Sequence, residues 1–209
     1  MKLFFISLIM VINIFANDFD KAIKAYEQHD YVSALKLFKA SSEQGFTTAH
    51  YNVGMMYENG RGIKKDNSEA VKWYKKGVKK GFASSQYGLG VMYESGKGMK
   101  KSYNKAMSLY RKSAKQGYAK AQCNLGTLYF TGQGTRKNYK FAAKWFRLAA
   151  EQNNATAQFN LGNLYYNGKG VDKDRRESYR LWQQAKEQGY KEAQKHINIL
   201  CKENPSICN

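Results

Sequence analysis

Two serines are each followed three residues later by a lysine, the spacing of a serine nucleophile and its base in penicillin-recognising enzymes. Ser33 precedes Lys36 in this way, and Ser102 precedes Lys105. The chemistry would be acyl transfer, in which the lysine accepts the proton and the serine forms an ester. A chain with thirteen serines and 28 lysines produces such matches by chance about as often as they occur here, and the partner motif K-T-G is absent. We therefore expect no catalytic residue at either serine.

Metal and phosphate chemistry are equally weakly supported. His29, His50 and His196 are scattered along the chain, without carboxylates or cysteines at the spacing of a zinc site. Glycine-rich loops such as that beginning at Asn59 lack the G-K-[ST] ending of a phosphate-binding loop. We expect no metal and no cofactor.

The glycines instead belong to an internal repeat. They recur with tyrosines at intervals of 36 residues, in four series: Gly54, Gly90, Gly126, Gly162; Tyr57, Tyr93, Tyr129, Tyr165; Gly60, Gly96, Gly132, Gly168; and Gly62, Gly98, Gly134, Gly170. A period of this size indicates a stack of supersecondary units, none of which can bury its apolar face alone.

Apolar residues at helical spacing on either side of each glycine loop predict two antiparallel helices per unit. After a first segment, residues 1–16, the chain divides into an N-terminal helical hairpin at 17–45, four full repeats at 46–189, and a capping helix with a tail at 190–209. The hairpin lacks the long glycine loop. The fold class is therefore all-α.

Glycine inside a helix costs about 1 kcal/mol, so its return in every first helix predicts the close approach of a neighbour. A second set of glycines, at 45, 81, 117 and 189, is predicted to end the second helices in the left-handed conformation. Asn153 takes this place in one repeat, and asparagine is the residue that best replaces glycine there.

The pattern AxxQxNLGxxYxxGxGxxxDxxxAxxWYxxAAxxG resembles the Sel-one-like repeat (SLR) family, a relative of the tetratricopeptide repeats (TPR). The resemblance covers residues 46–189 closely. It implies a right-handed α-solenoid of antiparallel helix pairs, and a function as an adaptor that gathers proteins on its concave face. Fold alone does not identify the partner.

Some secreted members of the family are cysteine-rich proteins described as penicillin-binding with weak β-lactamase activity. They are similar in repeat pattern but carry a cysteine pair in every unit. At the equivalent places this chain has serine, glycine or alanine on the second helices and glutamine on the first: Ser41, Gly77, Ser113, Ala149, Gln86, Gln122 and Gln158. This difference separates the chain from that subgroup.

Residues 1–16 have the features of a secretory signal peptide, with Lys2 before an apolar run and a cleavage point near Ala16. We therefore expect a periplasmic or secreted mature protein. The formal net charge is +19, which favours acidic partners. Export argues against nucleic acid, and peripheral association with the envelope stays open. We expect a monomer that binds an acidic protein.

Three cysteines occur. Cys201 and Cys208 are close enough in sequence to form a disulfide that pins the tail to the last helix, and export would permit it. Cys123 stands where other repeats have Tyr51, Tyr87 and Phe159, so we interpret it as a small apolar substitute.

The candidate binding surface is a row of side chains on the first helices, at two, six and nine residues after the helix's alanine. Positions i, i+4 and i+7 share one face of a helix. The row predicts an aromatic groove with acidic residues at its N-terminal end: Tyr51, Met55, Glu58, Tyr87, Val91, Glu94, Cys123, Thr127, Phe130, Phe159, Asn163 and Tyr166.

Three functions follow from these observations. The first is a non-enzymatic, exported adaptor that binds another protein through this groove. The second, implied by the resemblance, is a weak β-lactamase or penicillin-binding protein. The third, also implied by it, is an immunity protein against a secreted toxic effector.

Overall fold

The structure, a computed structural model, describes residues 18–46 and 48–208, and every regular element within them is an α-helix. Helix α1 spans 18–27. The others are α2 Tyr31–Glu43, α3 Ala49–Asn59, α4 Asn67–Lys79, α5 Ala83–Ser95, α6 Tyr103–Lys115, α7 Ala119–Thr131, α8 Tyr139–Ala150, α9 Ala155–Asn167, α10 Arg175–Glu187, α11 Lys191–Glu203 and α12 Pro205–Cys208. The predicted signal peptide lies outside the described residues. None of the described helices has the length and apolar composition needed to cross a bilayer.

The chain divides into two compact units, Met1–Ser102 (unit 1) and Tyr103–Asn209 (unit 2). In unit 1, helices α2 to α5 each pack on the next, and α3 also packs on α5. In unit 2, helices α6 to α12 pack in the same sequential way. The predicted stacking of antiparallel helix pairs is therefore confirmed in both units.

Three of the second helices, α4, α8 and α10, begin directly after an aspartate or asparagine. The side chains of Asp66, Asn138 and Asp174 each accept a hydrogen bond from the backbone N–H three residues later, which satisfies a free donor of the first turn. The backbone N–H groups of the same three residues donate to the carbonyls of Tyr57, Tyr129 and Tyr165 at 2.8–3.0 Å. One residue thus closes the loop and starts the helix.

The second glycine of each loop joins consecutive repeats. In unit 1, a Cβ on Gly98 would lie 2.5 Å from the carbonyl oxygen of Asn67, the first residue of α4. In unit 2, a Cβ on Gly170 would meet the backbone of Tyr139, the first residue of α8, in the same way. Both glycines have positive φ, +68° and +74°, which L-residues with side chains rarely adopt. The loop backbone therefore rests directly on the start of the preceding second helix.

The glycines inside the first helices accommodate an aromatic ring, as the sequence predicted a close neighbour there. A Cβ on Gly126 would lie 2.7 Å from the ring of Phe146, and one on Gly162 would lie 2.6 Å from Nε1 of Trp182. Phe146 and Trp182 are fully buried and belong to the second helix of the same repeat. The glycine and the ring together set how closely the two helices pack.

Buried glutamines connect first helices to the preceding second helices. The side-chain N–H groups of Gln122 and Gln158 donate to the carbonyls of Ala114 and Ala150 at 3.2 and 3.3 Å. Their side-chain oxygens accept hydrogen bonds from Gln152 and Gln188, which lie just after the ends of α8 and α10, at 2.8 and 2.6 Å. These glutamines therefore connect neighbouring helices by hydrogen bonds.

The C-terminal end of unit 2 replaces a further repeat. Helix α11 packs on α10 as a first helix would, and α12 contacts both. Asn204, one period after Gly168, accepts a hydrogen bond of 2.7 Å from Arg175, the first residue of α10. The tail therefore lies against the start of α10, much as the loops lie against the earlier second helices.

Candidate functional site

The predicted row in unit 1 lies on two helices that touch. Tyr51, Met55 and Glu58 lie on α3, and their counterparts Tyr87, Val91 and Glu94 lie on α5. All six side chains are half-buried. Because α3 packs against α5, the two rows adjoin and form one surface.

Tyr74 was not predicted as part of this surface, yet it supports both helices. Its ring is buried between them, where a Cβ on Gly54 or on Gly88 would lie 2.5 or 2.7 Å away. Its hydroxyl donates a hydrogen bond of 2.9 Å to Oε2 of Glu58. Burial, reinforced by the Glu58 carboxylate, raises the pKa of Tyr74 far above its usual value, so the phenol stays protonated as a donor. The other repeats have asparagine at the position of Gly88. This difference was the sequence feature from which the contact with Tyr74 could have been predicted.

Glu58 is held by a second partner. The Lys97 ammonium, in the loop after α5, lies 3.5 Å from Oε1 of Glu58. The predicted acidic end of the groove is therefore partly neutralised at this residue. In unit 1 the surface presents two tyrosines, a methionine and a valine near Glu58, whose carboxylate already contacts Tyr74 and Lys97.

In unit 2 the row contains one exposed aromatic side chain. Phe130 on α7 is 37% exposed, and its ring meets Tyr139 edge-on at 5.4 Å. Thr127 on α7 and Asn163 on α9, which belong to the same predicted row, are half-buried. Tyr166 on α9 donates a hydrogen bond of 2.8 Å to Glu203, which raises the pKa of its phenol. The cap at the C-terminal end of the chain thus holds Tyr166 in place.

The prediction that Phe159 lines an open groove is corrected by the structure. Phe159 is only 8% exposed, and its ring stacks on Tyr190 at 4.7 Å and meets His196 edge-on at 4.8 Å. The reason is that α11 covers this part of α9. Phe159 is a packing residue of the C-terminal cap.

The other candidate residues do not form a catalytic group with one another in the described contacts. Ser33 is exposed in the first turn of α2, and its backbone N–H donates to Asp30 at 3.1 Å. Cys123 is buried among apolar side chains, and burial raises the pKa of its thiol to about 12, so the thiol is protonated at neutral pH. Among the described residues no three His, Cys, Asp or Glu side chains cluster as metal ligands.

Hydrogen bonds between repeats were also missed from the sequence. Lys39, Arg111 and Arg147 on second helices donate to the hydroxyls of the periodic tyrosines Tyr57, Tyr129 and Tyr165 at 2.9, 3.2 and 3.0 Å. The signal was the 36-residue spacing of cations at 39, 75, 111 and 147. These tyrosines are therefore partners of basic residues as well as core side chains.

His50 is expected to make the stability of unit 1 dependent on pH. It is 4% exposed, packs against Trp73 and Phe82, and stands where later repeats have the buried glutamines. Burial first, and then Lys80 and Lys76, lower the pKa of His50 below its ordinary value near 6.5. The unfolded chain therefore binds a proton more readily than the folded one, and stability present above pH 6.5 is lost as the pH falls below it.

We expect the free energy of unfolding to fall by at most about 1.4 kcal/mol per pH unit from this group between pH 6.5 and 5. The substitution His50→Gln should remove this part of the pH dependence, because glutamine is neutral and is used at the same position in other repeats. Urea unfolding at pH 7.5 and 5.5 measures the effect, with the exposed His29→Gln as the control. A pH dependence unchanged by His50→Gln would contradict it.

The repeat architecture is shared with known proteins. A family model described as Sel1 repeat matches residues 18–46, 47–82, 83–118, 119–154 and 155–190. The chain belongs to the Sel1 repeat family. The Sel1 repeats include 18–46, the hairpin without a glycine loop. The predicted family and the all-α, TPR-like fold class are confirmed.

Solved structures of other Sel1 repeat proteins resemble the chain closely. A Sel1 repeat protein from Oxalobacter formigenes is 35% identical with a TM-score of 0.77, over 86% of this chain and 72% of that one. The protein c5321, a protective antigen of uropathogenic Escherichia coli strains with an SLR fold, is 29% identical with a TM-score of 0.78. That match covers 92% of this chain but only 42% of c5321.

The immunity protein Pa5087 from Pseudomonas aeruginosa is 21% identical with a TM-score of 0.59, over 83% of this chain and 68% of that one. At this sequence identity, the similarity between this chain and Pa5087 shows a shared fold alone. No match was found among curated proteins.

Proposed function

We propose that this Sel1 repeat protein is a non-enzymatic adaptor that binds another protein through the partly exposed row of side chains on its first helices. The observation that supports the proposal is the exposure of the predicted row. Of its eleven positions besides Cys123, ten reach solvent at least in part. Phe130 supplies the most exposed aromatic contact.

The chemistry of this surface favours a protein partner over a small molecule. Tyrosine and phenylalanine provide large contact areas at low cost in side-chain entropy, which is why aromatics are enriched at interaction hot spots. In unit 1, the packing of Tyr74 against Gly54 and Gly88 favours one conformation of the surface, which lowers the entropy lost on binding. With a net charge of +19, the protein favours an acidic partner.

We also propose that the protein acts outside the cytoplasm, as its first sixteen residues suggest. The Cα atoms of Cys201 and Cys208 lie 5.6 Å apart, a separation typical of disulfides. A disulfide there would fix α12 to α11 and so hold the cap that covers Phe159. Oxidising conditions would then stabilise the folded state of the C-terminal end of unit 2.

The double substitution Tyr87→Ala and Phe130→Ala is expected to weaken partner capture at least tenfold, since it removes two aromatic contacts. The tagged protein is recovered from its native cells, and its co-purifying partner is quantified by mass spectrometry. The matched control is Val32→Ala with Ile199→Ala, which removes two exposed apolar side chains outside the predicted row. Equal capture by both double variants, with unchanged helical circular dichroism, would refute the proposal.

A further inference from the structure

Residues 103–150 of unit 2, from the start of α6 to the end of α8, contain no aspartate or glutamate. The same segment contains ten basic residues: Lys105, Arg111, Lys112, Lys115, Lys120, Arg136, Lys137, Lys140, Lys144 and Arg147. The ion pairs described in unit 2 lie elsewhere, between Arg175 and Glu203 and between Arg180 and Glu177. The segment therefore has no carboxylate of its own to neutralise it.

The cations surround an exposed phenylalanine on α8. Between Lys140 and Arg147 the exposed side chains are Lys140, Phe141, Lys144 and Arg147, and the others are buried or half-buried. Phe141 is 48% exposed. Lys144 is three residues after Phe141 and Lys137 is four before it, so both lie on the same face of the helix or at its start.

The surface extends from α8 across α7 to α6. The ring of Phe141 lies 5.2 Å from that of Tyr129 on α7. The hydroxyl of Tyr129 accepts a hydrogen bond of 3.2 Å from Arg111 on α6. We call this surface, formed by Arg111, Tyr129, Lys140, Phe141 and Lys144, the basic aromatic patch.

Like charges held together on a folded surface repel one another, and an anionic partner relieves this repulsion. An exposed phenylalanine among cations adds an apolar contact that a purely polar polyanion would not use. An occupant with both carboxylates and an apolar side chain satisfies both features. Aspartate and glutamate interspersed with leucine or phenylalanine, in a segment of another protein, have this composition.

We propose that the basic aromatic patch docks an acidic protein segment that carries an apolar side chain against Phe141. The proposal rests on the proposed function because the ligand is again a protein. Its cations and Phe141 lie on the second helices, however, and none of its residues belongs to the first-helix row. It assigns the acidic chemistry of the partner to a defined part of unit 2. The proposal for the patch and the proposal for the first-helix row can therefore be tested independently.

The test uses a fluorescent synthetic peptide of Asp and Glu residues interrupted by one Leu and one Phe, titrated with the full mature chain. The patch variant is Lys140→Gln, Phe141→Ser and Lys144→Gln. The matched control is Lys24→Gln, Val32→Ser and Lys36→Gln, which likewise removes two positive charges and one exposed apolar side chain, on α1 and α2. We expect peptide affinity to fall about tenfold in the patch variant and to stay unchanged in the control, since each exposed pair contributes modestly.

Equal losses in both variants would show that net charge alone binds the peptide, and would overturn the proposal. The proposal would also be overturned if a peptide with serine in place of Leu and Phe bound as tightly. If oligothymidylate or phosphatidylglycerol vesicles bound to the patch more tightly than the peptide, an acidic protein segment would be the wrong occupant. The variant Tyr87→Ala with Phe130→Ala should bind the peptide normally, which separates this result from failure of the first-helix surface.

Discussion

The substitution Gly170→Ala is expected to lower the free energy of unfolding by about 3 kcal/mol or more. A residue with a side chain pays about 1–2 kcal/mol in the left-handed region that Gly170 occupies at φ +74°. The new Cβ would also meet the backbone of Tyr139 at the start of α8, including its carbonyl oxygen at 2.5 Å. Backbone atoms cannot move aside as a flexible side chain can, so overpacking adds about 1–3 kcal/mol.

Gly189→Ala is the matched control for this prediction. Gly189 has nearly the same conformation, at φ +81°, but no atom lies within 4 Å of the position that a Cβ would take there. Gly189→Ala should lower the free energy of unfolding by only about 1–2 kcal/mol, the cost of the left-handed backbone conformation. Urea unfolding followed by circular dichroism compares the two variants. Equal losses would mean that the loop does not rest on the preceding helix.

Trp182→Ala is expected to cost about 3–5 kcal/mol, the range for removing a large buried aromatic. Trp182 is fully buried, fills the space left by Gly162, and donates a hydrogen bond of 3.2 Å to the carbonyl of Phe159. Its ring also meets Tyr166 and His196 at 5.5 and 5.2 Å. Its loss would loosen both the repeat and the cap.

The control for this substitution is Trp182→Phe. Phenylalanine occupies the equivalent position 146 in the preceding repeat, so it should keep most of the contact with Gly162. Its expected cost is below about 2 kcal/mol, from lost volume and one hydrogen bond. Thermal unfolding monitored by circular dichroism ranks the two variants. If phenylalanine proves as costly as alanine, the indole hydrogen bond and not the volume of the ring stabilises this site.

Much of the scaffold was predictable because one spacing governs it. A 36-residue period requires each repeat to present the same backbone to its neighbour, so the glycines at 126 and 162 fall opposite equivalent rings. The left-handed Asn153, at φ +57°, follows from the same period, since it stands where glycine ends the other second helices. Repetition turns several weak local signals into one strong signal.

The details of the site were less predictable because they depend on residues that break the period. Phe159 shares its phase with Tyr51 and Tyr87, yet α11 buries it because the chain changes from repeat to cap. Tyr74 reaches Glu58 only because Gly88 leaves room on α5. Neither contact is encoded by helical spacing, which gives the face of a side chain but not its neighbours.

The most direct test of a protein-binding first-helix surface is site-specific photo-crosslinking in native cells. A photoreactive phenylalanine analogue is placed at Phe130 and, as a control, at Val32, which is more exposed at 69% against 37%. Random collision would therefore favour Val32. We predict a discrete crosslinked partner from position 130 and none from position 32. No product at 130, or the same products at both positions, would contradict the account.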